Sequence, residues 1–282
     1  MYCAHFGFQQ RPFDLTPNTA LFHALTPHIE AIQTVLMALS MREGLIKVTG
    51  EVGTGKTMVC RVLMQQLDAQ YQLIYLPNPS LDGAGMCEAV LQELARPVPE
   101  QRHRLIDAIQ QALLQIKAEG RHAVMVIDEA QGLSDGVLEL IRLFGNLETE
   151  QEKLLSIVLL GQPELDERLA NHQLRQLRQR ISFYATLRPL SLAEAFAYIQ
   201  YRNQSVGGRP EQFSDSAKRA IYHASRGVPR LIHQICHKAL LLAYSKGKQK
   251  VCRRHVVAAA KATLDASQPV LPWLGALGWN KA

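Results

Sequence analysis

The stretch GEVGTGKT, Gly50 to Thr57, constrains this chain more than any other feature, because it matches G-x-x-x-x-G-K-[ST] at every fixed position. Such a run works as a phosphate cradle only when a strand enters it and a helix leaves it, and both neighbours are present. Immediately before it stands LIKVT, Leu45 to Thr49, a short apolar run with β-branched residues that reads as a buried strand. Immediately after comes KTMVCRVLMQQL, with Val59, Val62, Leu63 and Leu67 spaced as one helix face. Gly50, Gly53 and Gly55 permit backbone angles that side chains forbid. The loop from Gly50 through Glu51, Val52, Gly53, Thr54, Gly55, Lys56 and Thr57 to Met58 can therefore turn its amides on phosphate oxygens at a helix start. In such a cradle Lys56 reaches the β- and γ-phosphates of ATP, and the Thr57 hydroxyl ligates Mg2+.

The chain around this loop alternates strands with helices. Apolar spacing at Ile29, Ile32, Leu36 and Leu39 predicts a helix ahead of the first strand, after an irregular opening punctuated by Pro12, Pro17 and Pro27. Further strands are expected at Gln72 to Pro77, Ala123 to Ile127, Leu154 to Gly161 and Ile181 to Leu187, with helices around 86–95, 104–119, 136–147, 163–170 and 174–179. That alternation predicts an α/β fold, a parallel five-stranded sheet flanked by helices. Beyond Pro189 the strands stop. Ser191 and Glu194 spell a capping box that opens a helix to about Ser205, and 214–226, 229–245 and 253–264 read as three more helices. The expected organisation is an α/β core with an N-terminal extension over 1–189, an all-helical domain over 190–265, and an apolar tail over 266–282 carrying Trp273 and Trp279.

A site that hydrolyses nucleotide needs a carboxylate to order Mg2+ and a base for the attacking water. VMVIDEAQ supplies both at the end of the third strand. Asp128 is placed to hold the metal, directly or through its water, and Glu129 to polarise water against the γ-phosphate.

Together with the opening FGFQQRPF and LTPNTALF, and with LLGQPEL, LRQLRQRI and GVPRLI, these motifs make the chain resemble the AAA+ ATPases. Within them it resembles the family of general secretion pathway protein A (ExeA/GspA), which includes MshM, the ATPase of mannose-sensitive haemagglutinin (MSHA) pilus biogenesis. The likeness runs from about residue 5 to 265. It implies that the helical domain is a nucleotide lid and that Gln162 is the sensor positioning the attacking water. It also implies that Arg180 is the arginine finger, with Arg178 and Arg175 as neighbouring candidates, and that Arg230 is the sensor on the lid. The implied partners are further copies of the chain in a homo-oligomer and the inner-membrane proteins of a type IV pilus or type II secretion apparatus. Members of the secretion branch carry a membrane span and a peptidoglycan-binding part after the ATPase; neither is in this sequence, so the pilus branch is expected.

Composition bounds the alternatives. No apolar run approaches the roughly 20 residues of a bilayer span, and the first residues lack a basic stretch followed by an apolar core. Five cysteines without paired spacing suit reduced thiols. A cytoplasmic protein is therefore expected, peripheral at the inner membrane through a partner if there at all. His233, Cys236, His237, Cys252 and His255 have the residue types of a metal site, but Gln234 stands where a zinc protease helix needs Glu, so helix packing is the expectation. A net charge of +6, concentrated at Lys246, Lys248, Lys250, Arg253 and Arg254, is compatible with a second reading, a DNA-binding ATPase switch resembling the transposition regulators.

Overall fold

The computed structural model describes residues 2–16, 19–77, 82–149 and 152–268. Contacts divide the chain into two units, one formed by residues 24–188 and the other by residues up to 23 together with those from 189 onward. A short helix α1 (Tyr2–Phe6) begins the second of these, where the sequence suggested only irregular chain.

The unit of residues 24–188 starts with α2 (Thr26–Ser40), whose Pro27 sits in the first turn, where a missing N–H costs nothing. Then follow β1 (Leu45–Gly50), α3 (Lys56–Gln66), β2 (Tyr71–Leu76), α4 (Gly83–Glu93), α5 (Leu105–Ala118), β3 (His122–Ile127), α6 (Asp135–Phe144), β4 (Leu155–Gly161), α7 (Pro163–Leu169), α8 (Arg175–Gln179) and β5 (Phe183–Leu187). The five strands form one parallel sheet in the order β2-β3-β4-β1-β5. Every residue of β3 and β4 is buried, as a strand covered on both faces must be. Their polar exceptions satisfy each other, since His122 Nε2 lies 2.8 Å from Ser156 Oγ. Ile74, Met125 and Ile157 pack with Met86 and Leu91 of α4, Ile109 and Leu113 of α5 and Phe144 of α6 in one apolar cluster.

Local chemistry sets the element ends. Asp82 caps α4 by accepting from Gly85 N at 2.7 Å. The sixth helix stops at Phe144, short of the expected 147, because Asn146 and Leu147 turn the chain with i→i−3 bonds to Leu143 O and Phe144 O. The fifth strand starts at Phe183 rather than 181; Ser182 N still bonds Leu45 O at 3.1 Å, while Ile181 packs on the core.

The other unit contains α9 (Leu192–Gln204), α10 (Asp215–Ser225), α11 (Pro229–Ser245) and α12 (Arg253–Lys261). The capping box is present: Ser191 Oγ accepts from Glu194 N, and the Glu194 carboxylate accepts from Ser191 N at 2.7 Å. The last helix ends at Lys261 instead of 264, where Lys238 Nζ takes Ala262 O and the Thr263 hydroxyl bonds back to Ala259 O. Gly227 has φ 77° and donates no room for a side chain, since a Cβ there would lie 2.1 Å from Leu190 O.

The placement of the opening segment corrects the sequence reading, which kept 1–189 together. Buried Arg202 of α9 donates to Pro12 O at 2.8 Å and to Leu21 O at 3.0 Å, and Phe13 packs edge-on against Phe213 and His233. These contacts join residues some 180 to 220 positions apart, which no local periodicity records. The tail residues 269–282, with Trp273 and Trp279, lie outside the described residues.

Candidate functional site

Because β4 lies between β3 and β1, the carboxyl ends of these three strands are neighbours, with Thr49 opposite Gly161 and Ile127 opposite Leu159. Ligands of open α/β sheets bind at this edge. The sequence places the loop from Gly50 after β1, Asp128 and Glu129 after β3, and Gln162 after β4, so the sheet brings these groups together.

The loop is shaped by its glycines and held from below. Gly53 has φ 83° and Gly55, the residue before α3, φ 106°, both in the left-handed region. A Cβ on Gly50 would come within 2.8 Å of Leu187 Cβ and Thr54 Oγ1. His28 of α2 closes the underside, its buried Nε2 2.9 Å from Thr54 O. As a result the amides of Gly53, Gly55, Lys56, Thr57 and Met58 have no hydrogen-bond partner among the described residues. They are the orphan donors of a helix start, where the helix dipole adds partial positive charge.

Lys56 is 6% exposed, its Nζ donating to Gly50 O at 2.7 Å and Glu51 O at 3.1 Å. Burial lowers its pKa, against the raising effect of Glu129 and Asp128. Asp128 is 4% exposed, and burial raises its carboxyl above the usual range despite hydrogen bonds from Glu129 N and the Thr57 hydroxyl. A carboxylate and a hydroxyl in contact form a hard-oxygen pair of the kind Mg2+ takes, keeping most of its waters. Free amides, a buried lysine and this oxygen pair fit a nucleotide phosphate chain with its divalent ion.

Glu129 sits at φ 54°, ψ 39°, a conformation that non-glycine residues seldom hold without support. Support comes from two amides. Gln131 Nε2 and Gln162 Nε2 both donate to Oε2 of Glu129, the second at 3.1 Å. Burial pushes the Glu129 carboxyl up, but the two amides and Lys56 outweigh it and hold it below its ordinary value. The sequence reading had Gln162 but missed Gln131, although it stands in the quoted VIDEAQ. An amide two residues past an acid carries no periodic signal, and only the 3-10 turn Ala130–Gly132 brings it round.

The arginines stand differently. Arg175, Arg178 and Arg180, on and after α8, are exposed, and their side chains make no hydrogen bond or ion pair among the described residues. The charge of Arg180 does help lower the Glu148 carboxyl. Arg230, near the start of α11 in the other unit, is likewise exposed and unbonded, and a cation in the first turn of a helix opposes the dipole. The histidine cluster is engaged in packing: His233 bonds the Tyr198 hydroxyl at 2.7 Å and Asp14 O at 2.6 Å, and His237 the Tyr2 hydroxyl at 3.1 Å. No group of three or more metal-ligating side chains occurs among the described residues, nor is any helix there long and apolar enough to cross a membrane.

Comparison with known proteins agrees with this geometry. A family model described as an AAA domain matches residues 39–169. General secretion pathway protein A of Aeromonas hydrophila is 39% identical over 262 residues, which cover 92% of this chain and 48% of that protein. The chain thus spans about half the length of this curated relative. Among solved structures, Cdc6p from Pyrobaculum aerophilum superposes with a TM-score of 0.70 at 17% identity, covering 89% of this chain and 70% of the other. The ORC2 protein of Aeropyrum pernix gives 0.64 at 14%, covering 90% and 71%. The RuvB Holliday junction branch migration motor of Thermotoga maritima gives 0.56 at 21%, covering 89% and 72%. At these identities the structures establish the fold, a P-loop AAA+ ATPase fold with its five-stranded parallel sheet and helical lid. The chain thus carries an AAA domain in a P-loop AAA+ ATPase fold and is similar to general secretion pathway protein A over most of its own length.

Proposed function

We propose that the chain is a Mg2+-dependent ATPase that works as a homo-oligomer in assembly of a type IV, MSHA-like pilus or a type II secretion apparatus, from the cytoplasmic side of the inner membrane. One observation carries the hydrolytic part: partnerless amides, a buried lysine and a clamped carboxylate meet at adjacent strand ends. The relative's name, general secretion pathway protein A, carries the assembly part.

In this reading the loop from Gly50 to Met58 binds the phosphates, with Lys56 against the β- and γ-oxygens. Thr57 and Asp128 hold Mg2+, which when bound neutralises charge on the transferring phosphoryl group. Glu129 takes a proton from the attacking water, and Gln162 fixes where that carboxylate points. Arg180 acts as a finger on a neighbouring copy's site, which suits an exposed arginine with no bond of its own. Arg230 would meet the nucleotide from the lid, so that ATP binding favours one arrangement of the units over another.

The test is a capture experiment with Glu129→Gln protein held in ATP and Mg2+. Recovery of pilus or secretion components supports the assembly role; loss of all ATP binding in that variant argues against the site. A second reading, a DNA-binding ATPase switch, draws on the exposed basic turn with Lys246, Lys248 and Lys250. ATPase activity that rises with duplex DNA and falls steeply with salt would favour it.

A further inference from the structure

The carboxylate of Glu129 has two oxygens in unlike surroundings. Oε2 accepts from both Gln131 and Gln162, while Oε1 has no hydrogen bond among the described residues. The direction of the Gln131 amide is dictated by its other end. Gln131 Oε1 accepts from the main-chain N–H of Gln162 at 3.0 Å, and a backbone N–H can only donate, so the NH2 group must face Glu129. The main chain of Gln131 is pinned in turn, since Arg168 Nη1 donates to Gln131 O at 2.8 Å and to Leu133 O at 2.6 Å. Arg168 also pairs with Asp135. A Cβ on Gly161 would already touch Gln131 Oε1 at 3.4 Å and Leu165 Cδ2 at 2.8 Å, so the end of β4 fits closely against this amide. A continuous set of bonds therefore runs from α7 through Gln131 to the carboxylate of Glu129, and a second from the end of β4 through the side chain of Gln162.

We propose that Gln131 is a positioning residue for Glu129, occupying one carboxylate oxygen together with Gln162 so that the other is left to take the proton of the attacking water; this rests on the hydrolytic reading above. A carboxylate on a left-handed backbone has no helix or strand to fix its rotamer, so a fixed donor is what holds the base within reach of water.

Gln131→Met keeps length and removes the donor; Gln131→Glu keeps shape and replaces the donor by a like charge. Wild type and both variants are compared by steady-state ATP hydrolysis and ATP affinity, and wild type and Glu129→Gln by the nitrogen-15 resonance of the Gln131 side-chain amide. The expected result for Gln131→Met is a kcat lowered roughly 10- to 100-fold with KM and ATP affinity changed by less than about two-fold. Gln131→Glu, which sets a like charge against Glu129, lowers kcat at least as far, again without a matching rise in KM. A Gln131→Met protein with wild-type kcat overturns the proposal, as does a raised KM with kcat intact. Should Gln131→Met not fold, the isosteric Gln131→Glu decides by the same measurements. Wild-type protein that binds ATP but never hydrolyses it overturns the hydrolytic reading; the Gln131 amide resonance then still decides whether Gln131 holds Glu129, since a signal that moves in Glu129→Gln shows the bond and one that stays rules it out.

Discussion

Two sets of charged groups in this molecule differ in how far the chain itself has finished them. At the carboxyl edge of the sheet, Lys56, Asp128 and Glu129 are each bonded to neighbours of the same unit, and Lys56 and Asp128 are almost fully buried. Arg180 and Arg230 are exposed and bonded to nothing among the described residues. Burying a charge is costly without partners, so the first set is worth its desolvation only if something is bound there that uses it. The exposed arginines keep their water and hold no side-chain bond among the described residues. Under the proposed function the contrast is a division of labour: one unit supplies the phosphate, metal and base positions, and the cations for charge developing in hydrolysis come from another copy or from the helical unit.

The comparison breaks most sharply at Arg180. With the finger supplied by a neighbouring copy, Arg180→Ala lowers kcat by roughly 10³- to 10⁵-fold while ATP affinity stays, and wild-type specific activity rises with protein concentration. Undiminished turnover would remove the assignment. Glu129→Gln comes next, with kcat down about 10²- to 10⁴-fold and binding retained, read by hydrolysis beside equilibrium binding. Smaller effects sharpen the stability side. Gly120→Ala should cost about 1–3 kcal/mol from its left-handed φ alone, and Gly227→Ala, with a similar φ and a Cβ 2.1 Å from Leu190 O, should cost more, both seen as lowered denaturation midpoints. Asp128→Asn should raise the melting temperature of the ligand-free protein by removing a buried charge, while weakening Mg2+-dependent binding.

The smallest contrast is acid stability, where each unit has a histidine that burial keeps from taking up a proton. Burial lowers both His122 and His233 from the ordinary 6.5 to about 4. The unfolded chain takes up these protons first, so stability is whole above pH 6.5 and declines as pH falls towards about 4. His122→Asn and His233→Asn should each flatten that decline, measured by denaturant midpoints across pH; an unchanged slope in both would contradict the assignment.

Much of the sheet unit was legible because its signals are local. The apolar runs of β3 and β4 are what burial on both faces demands, and Gly50, Gly53 and Gly55 occur where the loop needs close approach or positive φ. Asp128 and Glu129 followed from a strand ending in an acid pair. Contacts between distant residues were not legible. The bond from Arg202 to Pro12 and the edge-on packing of Phe13 against His233 move the opening segment to the helical unit, and nothing near residue 12 announces it. Gln131 was hidden for a related reason: its partner's backbone, at Gln162, arrives from another strand.

The account rests on the cradle being a nucleotide site, and calorimetric titration of the folded protein with ATP, with and without Mg2+, tests this most directly. The prediction is Mg2+-enhanced binding of one ATP per chain, abolished by Lys56→Ala in a variant that melts cooperatively. Absence of any heat of binding, or equal affinity in the Lys56→Ala protein, would contradict it.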